Sequence, residues 1–299
     1  MKKLIGLILV LSLVALPAMG LAAEKKLVVG SKQFTEQIIL GKMMIALLGA
    51  KGFTCVDKTG LGGTMVARKA LQAGQIDVYM EYTGTGLMTH LKYKKPITDP
   101  VKCYQEVKKA DLKKNGLVWL PMMDFNNTYC LMMRKDDAAK KGLKTISDLS
   151  NYVKKNPGKV AFGLNAEFYA RPDGYRPLQK KYDFRFPKDK IKKMDSGLVY
   201  KALKDGEVEV SMGFATDGRI AGFNFIVLKD DQKYFPVYNP APVVKKETAA
   251  EYPELEKIFA KLGQKLNTKE MTTLNYTVDI KHMDAMKAAK DWLKAQGLI

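Results

Sequence analysis

The stretch ALQAGQIDVYMEYTGTG at residues 70–86 recurs in outline as ALKDGEVEVSMGFATDG at residues 202–218. Each copy predicts a helix that ends at a glycine able to adopt the left-handed cap conformation, followed by a short alternating strand. An aromatic residue ends each strand, and a turn rich in Thr, Gly and Asp starts the next element. Two copies of one such unit predict two α/β lobes of similar plan.

Sequence upstream and downstream extends this plan to the whole chain. The apolar strands LVVG at 27–30 and VAFG at 160–163 precede the two copies, and the first strand leads into a helix with Ser31 or Thr35 as candidate N-cap. An apolar run at 129–134 predicts a buried strand that crosses between the lobes, and the run at 237–244 predicts the return crossing. Helices over 253–266 and 281–296 close the chain. We therefore predict a first lobe formed by two separate segments and an inserted second lobe, with the ranges 24–126 and 238–299 for the first and 127–237 for the second.

Residues 1–23 have the pattern of a secretory signal peptide. Lys2 and Lys3 precede an almost unbroken apolar run from Leu4 to Leu16, and small residues predict cleavage near Ala22 or Ala23. The apolar run is short for a membrane-spanning helix. The mature protein is therefore predicted to be exported and periplasmic.

The chain is strongly basic and contains three cysteines. Its formal net charge is +19, and removal of Lys2 and Lys3 leaves +17. The remaining lysines are scattered as on solvated helix faces, so we expect no nucleic-acid partner. Cys55, Cys103 and Cys130 allow one disulfide with a free thiol, or three thiols, and the apolar surroundings of Cys130 favour a buried thiol.

No arrangement of residues in the sequence indicates catalysis. Two histidines, His90 and His282, lie in ordinary helical or loop sequence, and no His, Cys and carboxylate cluster has metal-ligand spacing. Neither a nucleophile elbow nor a phosphate-binding loop is present. Glu81 and Asp217 flank the predicted cleft but are expected to be solvated turn residues. We therefore predict no enzymatic activity, no metal and no cofactor.

The ends of the repeated strands are the predicted ligand site. Ligands of open α/β sheets bind outside the carboxyl ends of the strands, where Tyr82 and Phe214 lie. Tyr129 and Tyr238 fall at the predicted crossings, near where the lobes would face each other. Aromatic rings from two lobes can enclose a quaternary ammonium group, because the negative ring face attracts a desolvated cation.

Anion-binding features accompany these aromatic residues. The segment Gly62-Gly63-Thr64 ahead of a helix offers backbone N–H groups and a hydroxyl. Lys32 follows the first strand, and Arg171 lies beyond the equivalent strand of the second lobe, so both can meet a ligand carboxylate.

Seven segments in order extend over almost all of the mature chain: GSKQFTEQIILG, LGGTMVARKAL, GQIDVYMEYTGTGL, FNNTY, EFYARPDGY, FATDGRI and KDDQKYFPVYNPAPVV. Together they resemble the substrate-binding proteins of ABC importers for quaternary amines such as glycine betaine, choline, carnitine and proline betaine. The resemblance implies a type II periplasmic-binding-protein fold, with two Rossmann-like α/β lobes joined by two hinge crossings.

The resemblance also implies a set of ligand-binding residues. The aromatic cage of the family falls on Tyr82, Tyr129, Phe214 and Tyr238. The positions that bind a ligand carboxylate, and the polar position beside the cage, fall on Lys32, Thr85, Arg171 and Asn127. Phe214 departs from the tyrosine expected there, so the ring face is kept and a hydroxyl is lost.

On this resemblance we expect the extracytoplasmic solute-binding component of an ABC importer, a monomer that captures a quaternary ammonium osmoprotectant and delivers it to a permease with its ATPase. Two alternatives stay open. The same fold can bind another small solute such as an amino acid or a polyamine, or it can serve an exported sensor or enzyme.

Overall fold

A computed structural model describes residues 24–299, so the predicted signal peptide lies outside the described residues. Two five-stranded sheets form the two lobes. The strands of the first sheet are β1 (Lys26–Gly30), β2 (Thr54–Lys58), β3 (Val78–Tyr82), β4 (Leu117–Trp119) and β10 (Pro240–Lys245). Those of the second are β5 (Tyr129–Arg134), β6 (Phe162–Leu164), β7 (Ile191–Lys193), β8 (Val210–Phe214) and β9 (Phe225–Leu228).

The two sheets share one topology. The strand order is β2-β1-β3-β10-β4 in the first sheet and β7-β6-β8-β5-β9 in the second. In each sheet three parallel strands are followed by an antiparallel strand, β10 beside β3 and β5 beside β8. The repeated strands β3 and β8 hold equivalent places, which confirms the prediction of two α/β lobes of similar plan.

The run at 129–134 is a buried strand as predicted, but both segments predicted as crossings lie inside the sheets, so the position of the crossings was wrong. Tyr129–Arg134 is β5, paired with β8 and β9, and Pro240–Lys245 is β10, paired with β3 and β4. The chain crosses in the segments just before these strands, at 120–128 and 229–239. A buried apolar run satisfies a central strand and a crossing equally well, and only the pairing partners distinguish them. The predicted lobe boundaries lie within the two crossing segments and stay a prediction.

Helices alternate with the strands and pack against both sheets. In chain order they are α1 (Thr35–Gly49), α2 (Thr64–Gln72), α3 (Thr83–Thr85), α4 (Pro100–Asn115), α5 (Lys135–Lys141), α6 (Ile146–Lys155), α7 (Ala166–Ala170), α8 (Tyr175–Tyr182), α9 (Leu198–Lys204), α10 (Gly218–Gly222), α11 (Lys246–Glu251), α12 (Glu254–Lys265), α13 (Thr268–Asp279) and α14 (Ala285–Ala295). A π-helical turn over Gly86–His90 continues α3, and a 3₁₀ turn over Lys188–Lys190 precedes β7.

The helix termini differ from the prediction in two places. Neither Ser31 nor Thr35 caps α1, because Phe34 holds the N-cap position with extended backbone and Thr35 is the first helical residue. The helix predicted over 281–296 begins only at Ala285, where Asp284 accepts a hydrogen bond from the Lys287 backbone. The preceding helix α13 was not predicted, since its sequence is largely polar.

The C-terminal helices complete the first lobe. Both α13 and α14 pack against α1. Helix α13 also packs against α10 of the second lobe, so it lies at the contact between the lobes.

Two further observations concern the described residues 24–299. Cys55, Cys103 and Cys130 are all free thiols, and Cys130 is buried as expected. Burial raises the pKa of the Cys103 thiol to about 11. Among these residues, no helix combines the length and apolar character needed to cross a membrane.

Candidate functional site

One cavity between the lobes is lined by all eight residues predicted as the ligand site. Its empty space is about 420 Å³ including the opening to solvent. The eight are Lys32, Tyr82, Thr85, Asn127, Tyr129, Arg171, Phe214 and Tyr238. Five further residues line it: Phe34, Thr64, Asn165, Glu167 and Ser196. Of these, Thr64 belongs to the segment Gly62-Gly63-Thr64 that was predicted to bind an anion, and the other four were not predicted. The structure brings the eight predicted residues together, and their contact with a ligand stays a prediction.

Strand pairing brings the aromatic residues of the cavity together. Tyr82 and Phe214 are the last residues of β3 and β8, whose carboxyl ends face each other across the cavity. Tyr129 begins the antiparallel strand β5 and pairs directly with Phe214. Tyr238 lies in the returning crossing, where its backbone oxygen accepts a hydrogen bond from the Asn127 backbone at 3.1 Å.

The aromatic rings of the two lobes are in mutual contact. Phe34 of the first lobe stacks on Phe214 of the second, with ring centroids 5.3 Å apart and planes 10° apart. Tyr129 lies 5.2 Å from Phe214 and 5.4 Å from Tyr238, the latter edge-on at 88°. Phe34 and Tyr82 stack at 6.2 Å. Phe34 was missed although it follows Lys32 in the same loop, a position that could have suggested it.

Lys32 lines the cavity, and Glu81 neutralises its charge. Its Nζ lies 2.6 Å from Oε1 of Glu81 and 5.2 Å from the ring centroid of Tyr82. Oε2 of Glu81 also lies 3.0 Å from Nε2 of His90. Burial alone would raise the pKa of Glu81, but Lys32 and His90 hold it well below its usual value.

Two acidic residues expected to be solvated are in fact buried. The Glu81 side chain is inaccessible to solvent, and Asp217 is buried where its carboxylate pairs with Arg219 at 2.6 Å. The expectation was wrong because Lys32, the main partner of Glu81, is distant in sequence and brought near only by the pairing of β1 with β3.

Arg171 is the second cation of the cavity wall. Its guanidinium binds the Asp173 carboxylate at two points, with N–O distances of 2.8 and 2.7 Å. The guanidinium carbon lies 5.5 Å from the ring centroid of Tyr129 and 5.6 Å from that of Tyr238. Nη1 reaches the Thr85 hydroxyl of the first lobe at 3.3 Å. Arg171 therefore contacts both lobes, and the Asp173 carboxylate balances its charge.

Glu167 faces Arg171 from within the cavity. Its Oε1 accepts a hydrogen bond from the Thr64 hydroxyl at 2.6 Å and another from Nη1 of Arg171 at 3.2 Å. Thr64 belongs to the first lobe and Glu167 to helix α7 of the second. Both residues occur in segments that were recognised in the sequence, yet neither was predicted to contact the other.

Asn127 connects the cavity with a buried carboxylate, that of Glu36. Nδ2 of Asn127 donates to Oε1 of Glu36 at 2.8 Å, and the Tyr82 hydroxyl donates to the same oxygen at 2.8 Å. Oε2 accepts from the hydroxyl of Thr216 in the second lobe and from Nδ2 of Asn275. Burial raises the pKa of Glu36, partly offset by these four hydrogen bonds.

Two α/β lobes that enclose a cavity at the carboxyl ends of their strands, lined by aromatic rings from both, define a two-lobe solute-binding protein. Residues 25–295 match the family described as OpuAC, the substrate binding domain of ABC-type glycine betaine transport system. The chain belongs to this family, which confirms the resemblance seen in the sequence.

Individual relatives agree with this membership. A glycine-betaine-binding protein of Pseudomonas aeruginosa is 39% identical over 97% of this chain and 94% of its own length. An ergothioneine transport permease/ergothioneine binding protein of Helicobacter pylori is 37% identical over 92% of this chain, which spans only 48% of that relative. A solved glycine betaine/carnitine/choline ABC transporter structure is 31% identical, with a TM-score of 0.74, and covers 92% of this chain and 99% of its own. The type II two-lobe fold is thereby confirmed.

Proposed function

We propose that this protein closes around a quaternary ammonium solute, of which glycine betaine and choline are the leading candidates. The aromatic cavity carries the proposal: Tyr82, Tyr129, Phe214 and Tyr238 surround one small space between the lobes. A methylated ammonium group cannot donate hydrogen bonds, and aromatic faces attract it by about 0.5–2 kcal/mol for each contact. Contacts from both lobes would stabilise the closed arrangement.

The polar half of the cavity suits the other end of such a solute. Lys32, Thr85 and Arg171 line the same cavity as the aromatic rings, and in our proposal they bind a carboxylate where the ligand has one. Asn127 would hold the ring of Tyr82 in place through their shared partner Glu36.

The proposed setting follows from the family. After cleavage near residues 22–23 the mature chain would act outside the cytoplasmic membrane as a monomer, and would deliver its solute to an ABC permease driven by its ATPase. Family members are substrate-binding domains of transport systems, so we propose binding without catalysis. The alternatives are an amino acid or polyamine as ligand, or an exported sensor or enzyme on the same fold.

Isothermal titration calorimetry tests the proposal. The panel contains glycine betaine, choline, carnitine, proline betaine and ergothioneine, with glycine as the unmethylated match of glycine betaine and spermidine as a polyamine. We expect binding of at least one methylated ammonium compound and none of glycine. Binding of glycine or spermidine alone would favour the other-solute alternative, and turnover of a bound compound would indicate an enzyme.

A pair of tyrosine variants locates the binding site. Tyr82→Ala removes a cavity ring, and we expect at least about tenfold weaker binding. Tyr152→Ala removes a half-buried tyrosine from α6, outside the cavity, and should leave the affinity unchanged. Equal affinities for the two variants would remove Tyr82 from the cage.

A further inference from the structure

The segment predicted to bind an anion already holds a carboxylate of the protein itself. Gly62-Gly63-Thr64 precedes α2, and the Thr64 hydroxyl donates to Oε1 of Glu167 at 2.6 Å. A Cβ atom at Gly63 would lie 3.5 Å from the other oxygen of Glu167, so this carboxylate rests against the glycine backbone. The Glu167 carboxylate of the second lobe thus occupies the anion position of the first.

The same carboxylate also contacts Arg171, the cation that we propose to bind a ligand carboxylate. Nη1 of Arg171 is shared between Oε1 of Glu167 at 3.2 Å and the Thr85 hydroxyl at 3.3 Å. Burial would raise the pKa of Glu167, but Lys32 and Arg171, with the Thr64 hydrogen bond, lower it below its usual value. Glu167 is therefore an ionised carboxylate in contact with the groups that would bind a ligand carboxylate.

Of the carboxylates that pair with Lys32 and Arg171, Glu167 is the one in excess of these two cations. Lys32 is neutralised by Glu81 and Arg171 by Asp173, and these two carboxylates are 0% and 3% exposed. Glu167 shares Arg171 with Asp173, at 3.2 Å from Nη1, and its side chain is 34% exposed. Of the three carboxylates it is the one with room to move when a ligand enters.

We propose that Glu167 is a specificity-determining residue that competes with the carboxylate of the ligand. A betaine must displace Glu167 from Thr64 and Arg171, whereas a quaternary ammonium alcohol such as choline leaves it in place. Glu167 thereby shifts the balance of the site toward quaternary ammonium cations that lack a carboxylate. This inference rests on the proposed function and adds the class of solute that the site favours.

Paired titrations with glycine betaine and choline test the competition. Glu167→Gln keeps the size of the side chain and removes its charge, and Glu167→Ala removes the competing group altogether. We expect both variants to raise the ratio of glycine betaine affinity to choline affinity by about tenfold, the scale of one charge-assisted hydrogen bond. Thermal unfolding of each variant verifies that the lobes are intact.

Asp183→Asn is the matched control, because it removes a carboxylate of the same lobe that is 88% exposed. It should leave the affinity ratio at the wild-type value. An unchanged ratio in both Glu167 variants, with both ligands still bound, would overturn the inference while leaving the proposed function standing. Failure of the wild-type protein to bind either ligand would overturn the proposed function, and the inference with it.

Discussion

Nδ2 of Asn275 lies 3.0 Å from Oε2 of Glu36 and donates at 2.9 Å to the backbone oxygen of Thr216. Glu36 and Asn275 belong to the first lobe and Thr216 to the second. The other donors to Glu36, from Tyr82, Asn127 and Thr216, are also neutral. A buried carboxylate whose hydrogen bonds all come from neutral groups keeps part of its desolvation cost. This contact between the lobes is therefore sensitive to the protonation of Glu36.

The first prediction concerns the pH dependence of stability. Burial raises the pKa of Glu36 above its ordinary value of 4.5. The folded state therefore binds this proton more tightly than the unfolded state. Protonation of Glu36 thus contributes to the free energy of unfolding; this contribution is fully present below the ordinary pKa and is lost as pH rises through the raised pKa. In urea unfolding from about pH 4 to about pH 8, wild type should lose stability relative to Glu36→Gln.

The control for this experiment is Glu247→Gln, a glutamate of the first lobe that is 66% exposed. The difference between wild type and Glu247→Gln should stay constant over the same pH range. A constant difference for Glu36→Gln as well would contradict the raised pKa.

Local sequence signals account for what could be predicted of the fold. Gly74 and Gly206 both adopt positive φ, 69° and 80°, directly after the last turns of α2 and α9. Left-handed backbone favours glycine, and the alternating strand that follows has its own period, so each repeat copy could be predicted from its own residues. Tyr82 and Phe214 could be placed at the ligand site because they are the last residues of the two repeated strands.

Contacts between distant segments account for what could not be predicted. Glu36 and Asn275 are neighbours only because α13 packs on α1, and no local pattern in either segment indicates the other. Glu167 was passed over for a similar reason, since its partner Thr64 lies in the other lobe. Charged residues in turns are usually solvated, and Glu81 departs from that rule because the pairing of β1 with β3 brings Lys32 to it.

A second prediction concerns the buried ion pair of the first lobe. Arg68 and Asp111 are 3% and 0% exposed, and Nη1 of Arg68 lies 2.9 Å from Oδ2 of Asp111. Nε1 of Trp119 donates to the same oxygen at 2.8 Å. Asp111→Asn leaves the guanidinium buried without a counter-charge, so we expect a loss of about 3–5 kcal/mol in the free energy of unfolding.

Urea denaturation measures this loss, and Asp291→Asn provides the comparison. Asp291 forms an exposed pair with Lys287 on α14, with side chains 53% and 62% exposed. Breaking such a pair should change stability little. A cost for Asp111→Asn as small as that for Asp291→Asn would show that the buried pair contributes no net stability.

A third prediction addresses Phe214, the residue that departs from the tyrosine implied by the resemblance. Its ring lies between Phe34 at 5.3 Å and Tyr129 at 5.2 Å. Phe214→Tyr keeps the ring face, so affinity for the quaternary ammonium ligand should change by no more than about threefold. Phe214→Ala removes the face and should weaken binding by about tenfold or more. Calorimetry with the best ligand measures both, and an unchanged affinity in Phe214→Ala would exclude this ring from the cage.

The last prediction tests whether the observed approach of α10 to α13 is needed for binding. A Cβ atom at Gly218, the first residue of α10, would lie 2.3 Å from the Cα of Tyr276 in α13. The obstacle is backbone, which cannot move aside as a flexible side chain can. Gly218→Ala should therefore hold the lobes apart and weaken ligand binding by about tenfold or more, while each lobe keeps its own core.

Gly49→Ala is the matched control, because a Cβ atom at this position in α1 meets nothing within 4 Å. It should bind ligand as wild type does and unfold at the same or a slightly higher temperature, since alanine favours helix more than glycine. Small-angle scattering at saturating ligand should show a larger radius of gyration for Gly218→Ala than for Gly49→Ala. Equal radii and equal affinities would mean that ligand binding does not require the close contact between Gly218 and Tyr276.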